Sequence, residues 1–158
     1  MRALLLFVLL AFSSYSWACS CGKVGILKNR KQAELIFTGR VIDIRNFIYK
    51  DSTDRGNGEY IIRTKQSTKF TFQVQHVYKG AVVTDTVSLS TPAARLDCES
   101  HFVPNQSYLV YSNLTTQSTR YLFGAKSKAR PYLTTNLCTR TKRNRLLTIY
   151  EKAILTLL

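Results

Sequence analysis

Four cysteines constrain this chain more than any other feature. Cys19 and Cys21 stand one residue apart directly behind an apolar leader, and Cys98 and Cys138 lie far downstream. The leader opens on Arg2, runs without a charge through residues 3–12, and closes on Ser16-Trp17-Ala18, with small residues at the −3 and −1 positions of a cleavage after Ala18. That is the layout of a secretory signal peptide. Its apolar run is shorter than the ~20 residues that cross a ~30 Å hydrocarbon core, and it lacks the alternation of a buried soluble helix. A small residue before cysteine also fits a bacterial lipoprotein site, but Ser16 stands where such signals carry Leu. No second hydrophobic segment follows. The expected division is a signal peptide over residues 1–18 and a single mature domain over 19–158, secreted, or periplasmic in a bacterium.

Removal of the leader makes Cys19 the first residue of the mature chain. Four cysteines in an oxidising compartment imply two disulfides, with three pairings to choose from. A Cys19–Cys21 bond would close a strained small ring. Both remaining pairings tie the N-terminal tripeptide to two distant segments, each bond closing a long loop worth ~4 kcal/mol in the chain-entropy account. A zinc site would want paired ligands in both halves, whereas Cys98 and Cys138 are isolated. The formal net charge is +14, of which the leader holds only Arg2. Such basicity suits polyanions such as glycosaminoglycan, lipopolysaccharide, nucleic acid or acidic proteins.

Residues 34–45 (ELIFTGRVIDIR) are β-rich, and Gly39 marks a bulge or bend in a curved strand. The polar stretch 50–59 reads as a hairpin loop. Residues 69–78 alternate, with Phe70, Phe72, Val74, His76 and Tyr78 on one face and Lys69, Thr71, Gln73 and Gln75 on the other, as in a half-buried strand. Three more short strands are expected over 86–90, 107–112 and 120–123. Leu146, Leu147, Tyr150, Ala153, Ile154 and Leu157 recur at helical spacing, so an amphipathic helix closes the chain from Asn144 onward. About five antiparallel strands and a terminal helix suggest a small, closed or nearly closed barrel, since closure removes exposed edges; a β-sandwich is the alternative.

The inventory for catalysis is thin, and no enzyme is expected. His76 lies on the apolar face of its strand, as a satisfied core imidazole would. Asp97, Glu99 and His101 alternate and could share one face as metal ligands, although a solvated face beside a cysteine is the plainer reading. There is no Gly-rich phosphate loop, nucleophile elbow or two-histidine helix motif. No cofactor is implied. Arg140, Lys142, Arg143 and Arg145, with Lys126, Lys128 and Arg130 nearby in sequence, could form a polyanion patch. Weak aromatic interleaving there argues against single-stranded nucleic acid. Asn105-Gln106-Ser107 and Asn113-Leu114-Thr115 match glycosylation sequons that matter in a eukaryotic source.

Together these residues resemble a family. A leader cut directly before Cys19-Ser20-Cys21, an early Ile36-Phe37-Thr38-Gly39, a strand ending Val77-Tyr78-Lys79-Gly80, a mid-chain Cys98, and Cys138 after Thr134-Thr135 are similar to the N-terminal, netrin-like domain of the tissue inhibitors of metalloproteinases. The similarity runs along nearly the whole mature chain, and its specific part is the Cys-x-Cys start. It implies a five-stranded barrel of the oligonucleotide/oligosaccharide-binding type with attached helices, stapled by Cys19–Cys98 and Cys21–Cys138. It also implies inhibition of zinc proteases: the free α-amine and carbonyl of Cys19 would chelate the target's zinc, Ser20 would enter the adjacent specificity pocket, and Ala94, Arg95, Leu96 and Asp97 would flank the tripeptide. Cys19 would thus meet a metal only through its backbone, and only in the target protease. An α-amine pKa near ~8 lets metal binding use the neutral form at modest cost. The chain departs from that family in having no cysteine over residues 22–35. Netrin-like modules that bind matrix or receptors through a basic surface, without inhibiting a protease, are the other function the resemblance implies.

Overall fold

The computed structural model describes residues 22, 24–54, 59–93, 100–116, 131–136 and 138–158. They form a mainly β structure with one six-stranded sheet and a C-terminal helix. The strands are β1 (Leu35–Asp54), β2 (Tyr60–Lys79), β3 (Thr86–Ala93), β4 (Ser107–Thr116), β5 (Pro131–Thr134) and β6 (Lys142–Arg143). A short helix α1 (Ile26–Gln32) precedes them. A 3-10 turn (Leu146–Thr148) leads into the closing helix α2 (Ile149–Leu157). The sheet order is β1-β2-β3-β5-β4-β6, and β1 also pairs with β4, so five strands are linked in a ring with β6 as an appendage. All pairings are antiparallel except that of β3 with β5.

Two expectations about strand length are corrected. β1 continues through Asp54 and β2 begins at Tyr60, so residues 50–54 are strand and not loop. The alternation of polar and apolar residues is interrupted because β1 and β2 are irregularly matched. Ile36 faces Lys79 and Phe37 faces Val77, leaving Tyr78 as an extra residue. Thr38 faces His76 and Gly39 faces Val74, leaving Gln75; Val41 faces Phe72 and Asp43 faces Thr71, leaving Ile42. Each such bulge flips the parity of the residues beyond it and bends the ribbon. Gly39 lies at one of them, as its position suggested. A Cβ there would sit 3.0 Å from the Gln73 carbonyl oxygen and from the Phe37 ring, so the strands approach too closely for a side chain.

The ring encloses the main core of Leu35, Phe37, Val41, Phe70, Phe72, Val87, Leu89, Phe102, Tyr108 and Val110. Its aromatic rings meet edge to face, with Phe102 4.9 Å from Phe70, 5.0 Å from Phe72 and 4.9 Å from Tyr108. That geometry suits the ring quadrupole, and each buried Phe contributes about 2–3 kcal/mol through burial. The alternate residues of β1 and β4 are covered as well: Ile36, Leu109 and Tyr111 pack outside the ring with Ala33 and Leu155, and Ile26 packs against them. Both helices therefore roof the β1–β4 side, and residues 35–37 and 108–111 read as continuous apolar runs because neither face is left to water.

Glycine and lysine fix the roof. Gly80 takes φ +86°, and a Cβ there would lie 2.8 Å from the Glu34 carbonyl oxygen, so the turn after β2 requires glycine. Lys79 donates its ammonium to the carbonyls of Arg30 (2.8 Å) and Ala33, which satisfies the orphan acceptors where α1 ends. The closing helix is present as expected, but its buried face differs. Thr148, Glu151 and Leu155 point inward, while Leu146, Tyr150, Ala153 and Leu157 of the expected apolar stripe are exposed. Among the described residues no helix is long and apolar enough to cross a membrane.

Candidate functional site

Val24, three residues past Cys21 in the sequence, is tied to a cluster of charged side chains. Glu151 projects from α2 and is only 2% exposed. The Arg140 guanidinium donates to both of its oxygens, Nε to Oε1 at 2.7 Å and Nη2 to Oε2 at 2.8 Å. The remaining nitrogen, Nη1, reaches the backbone carbonyl of Val24 at 3.0 Å. Only a planar guanidinium presents donors in both directions at once. Lys142, on β6, pairs with Oε2, and the Tyr111 hydroxyl on β4 donates to Oε1 at 2.7 Å. One carboxylate thus joins α2, β4, β6 and the segment that enters α1.

The electrostatics follow from that arrangement. Burial alone would raise the Glu151 pKa, but the hydrogen bonds from Arg140, Lys142 and Tyr111 outweigh it and hold the carboxyl at about 2, below its ordinary 4.5. The Tyr111 hydroxyl is pushed well above the usual phenol range, first by burial and then by its bond to the carboxylate. Arg140 is held more firmly protonated, chiefly by its bond to Glu151.

The turn around Cys138 is built next to this cluster. Asn136 Oδ1 accepts the backbone N–H groups of Cys138 (2.9 Å) and Thr139 (3.1 Å), an Asx turn. Buried Thr135 contacts the hydroxyls of Thr139 and Thr141 at 2.8 Å each and donates to the Tyr111 carbonyl at 2.9 Å. The Tyr111 N–H in turn donates to Thr141 Oγ1 at 2.9 Å. Cys138 is disulfide-bonded. The other three cysteines lie outside the described residues, so its partner is a matter for proposal.

Of the residues singled out in the sequence, Cys19, Ser20, Cys21, Ala94, Arg95, Leu96, Asp97, Cys98 and Glu99 lie outside the described residues, as do Lys126, Lys128, Arg130 and the expected strand over 120–123. The basic cluster is divided. Arg140 and Lys142 are half-buried and engaged with Glu151, whereas Arg143 and Arg145 are exposed; Arg143 also donates to Gln106 Oε1. His76 is exposed and not a core residue, because the bulge at Gln75 turns it outward. It meets Tyr78 edge to face at 4.6 Å. His101 is exposed too, and the described residues hold no cluster of three potential metal ligands. Asn105 is exposed at φ 61°, and Asn113 is half-buried within β4.

Glu151 escaped the sequence reading, since a lone acid in a terminal helix reads as solvent-facing. The available signal was its position behind a run of four cations with few acids nearby. No protein-family model matches the chain, and no curated protein matches it either.

Proposed function

We propose that this protein is a secreted inhibitor of zinc metalloproteases, a netrin-like domain that acts through the free α-amine and carbonyl of Cys19. One observation carries the reading. Arg140, two residues past the half-cystine Cys138, is bonded to the carbonyl of Val24, three residues past Cys21. Three residues span at most about 11 Å, so a chain anchored at Val24 is able to reach back to the Cys138 turn, which supports pairing of Cys21 with Cys138. Cys19 would then pair with Cys98. The strand circuit, with β1 bonded to both β2 and β4 and with β3 parallel to β5, supports a closed barrel of the oligonucleotide/oligosaccharide-binding type.

In this reading two staples and one guanidinium immobilise a protruding chain end, and little ordering entropy is lost when it binds. The neutral amine and the carbonyl oxygen of Cys19 fill the open positions on the protease's zinc, where the attacking water would sit. Ser20 enters the neighbouring pocket, and the residues before Cys98 lie alongside. A basic-surface binder is the competing function. Among the described residues of its expected patch, Arg140 and Lys142 are engaged with Glu151, and Arg143 and Arg145 are exposed.

The test is to assay the mature protein against a panel of zinc proteases beside two variants, one acetylated at its N-terminus and one extended by a single Ala. Inhibition by the mature form and its loss in both variants is the expected result. Inhibition that survives either change would refute chelation by Cys19.

A further inference from the structure

The closing helix turns its apolar face to solvent. Leu146, Ile149, Tyr150, Ala153 and Leu157 recur at i, i+3, i+4, i+7 and i+11, the spacing of one helix face. Leu146 and Leu157 are 83% and 86% exposed, Tyr150 is 74% and Ile149 57% exposed, and Ala153 is exposed as well. The opposite face carries Thr148, Glu151 and Leu155, all buried. A surface helix ordinarily buries its apolar stripe. Here the bonds of Glu151 to Arg140, Lys142 and Tyr111 fix the rotation, and the stripe is left outside. Scattered apolar residues on a surface need no explanation, but a contiguous stripe marks a contact site.

The charges around the stripe have one sign. Arg143 and Arg145 precede it and are exposed, and half-buried Lys152 stands on its flank. Glu151 is the sole acid over residues 139–158, and it is buried against Arg140 and Lys142. No acidic side chain of this segment therefore faces solvent beside the stripe.

Charge, size and shape select the occupant. A second copy would bring together two chains of formal charge +14, each with Arg143 and Arg145 beside the contact. Five side chains also fall far short of the roughly 20–30 residues a side of a stable protein interface. A groove that encloses a helix needs its flanks, and Leu155 and Glu151 hold one side of α2 against the sheet. A bilayer surface needs the outward side alone. Apolar side chains enter the headgroup boundary, a Tyr phenol rests at headgroup level, and flanking cations meet lipid phosphates.

We propose that α2 is a membrane-surface anchor that lays Leu146, Ile149, Tyr150 and Leu157 into an anionic phospholipid bilayer, with Arg143, Arg145 and Lys152 on the headgroup phosphates. The helix lies in the interface and does not cross it. This contact is independent of Cys19 and of protease inhibition.

Co-sedimentation of the mature protein, shown free of covalent lipid by intact mass, tests this at physiological salt. The probes are vesicles of equimolar phosphatidylcholine and phosphatidylglycerol, and vesicles of phosphatidylcholine alone. The protein should bind the anionic vesicles and bind the neutral ones at least tenfold more weakly. Ile149→Ser with Leu157→Ser should weaken binding to the anionic vesicles about tenfold at unchanged thermal midpoint, and Leu146→Gln alone severalfold. Arg143→Gln with Arg145→Gln should also weaken it severalfold. Arg45→Gln with Lys69→Gln removes the same charge from the exposed face of β1 and β2, and should change binding less than twofold. The proposal is overturned if the anionic vesicles leave the protein in solution, or if the 45/69 pair costs as much as the 143/145 pair. It is overturned equally if folded Ile149→Ser/Leu157→Ser and Leu146→Gln proteins bind normally, since binding would then follow net charge alone. A dimer in sedimentation equilibrium that these stripe variants dissociate would also overturn it, by giving the stripe to a second copy.

Discussion

The two sides of β1 and β4 are stabilised by different physics. Inside the ring, Phe37, Phe70, Phe72 and Phe102 fill space with apolar surface and edge-to-face rings. Outside it, the apolar contacts of Ile36, Leu109 and Leu155 are supplemented by a nearly buried carboxylate with three donors. The first side has no titratable group among its ring contacts other than the Tyr108 phenol. The second depends on protonation, and it is the side to which the segment after Cys21 is attached. A charge cluster gives weaker net stabilisation than an apolar core, but it fixes direction: Glu151 determines how α2 is rotated, against the pull of the helix's own apolar stripe.

The largest effect that would test this contrast is in the ring. Phe72→Ala should cost about 3–5 kcal/mol in denaturant unfolding, equally at pH 7 and pH 4. Glu151→Ala should cost about 3 kcal/mol at neutral pH, because it leaves Arg140 and Lys142 without their counter-ion. Its pH dependence is the sharper readout. The Glu151 pKa is depressed on folding, so its contribution is complete above the unfolded value of 4.5 and is lost as pH falls towards about 2. The native protein should weaken across that window, and the Glu151→Ala variant should show a correspondingly flatter profile. An unchanged acid limb in the variant would break the contrast.

A smaller effect separates attachment from stability. Arg140→Lys keeps a cation beside Glu151 but cannot bond the carboxylate twice and Val24 as well. We expect a loss of about 1 kcal/mol in stability, together with a larger, several-fold loss of protease inhibition. Equal potency would mean that the Val24 bond does not position the chain end. Smallest of all, Arg143→Gln with Arg145→Gln should shift stability by less than about 0.5 kcal/mol, as expected for exposed cations.

What the sequence disclosed follows the same division. The alternation at Phe70, Phe72 and Val74 identified a strand because its periodicity is local, and Gly39 identified the bulge because only close backbone approach demands glycine there. The reading failed one step later. The extra residue Gln75 turned His76 outward, and a bulge on β2 is decided by its match to β1 some forty residues away. The closing helix was legible as an element, whereas its orientation was not, because Glu151 owes its burial to Tyr111, Arg140 and Lys142 on other elements. Local apolar pattern can be read along a chain; the pairing of a charge with partners on three separate segments cannot.

The central claim is a mature chain that begins at Cys19 with an unblocked amine and two specific staples. Non-reducing peptide mapping with intact mass of the secreted protein addresses it directly. The account predicts an N-terminal Cys19, unmodified at nitrogen, joined to Cys98, with Cys21 joined to Cys138. A product that starts elsewhere, carries an acyl or lipid group at that cysteine, or joins Cys19 to Cys138 would contradict it.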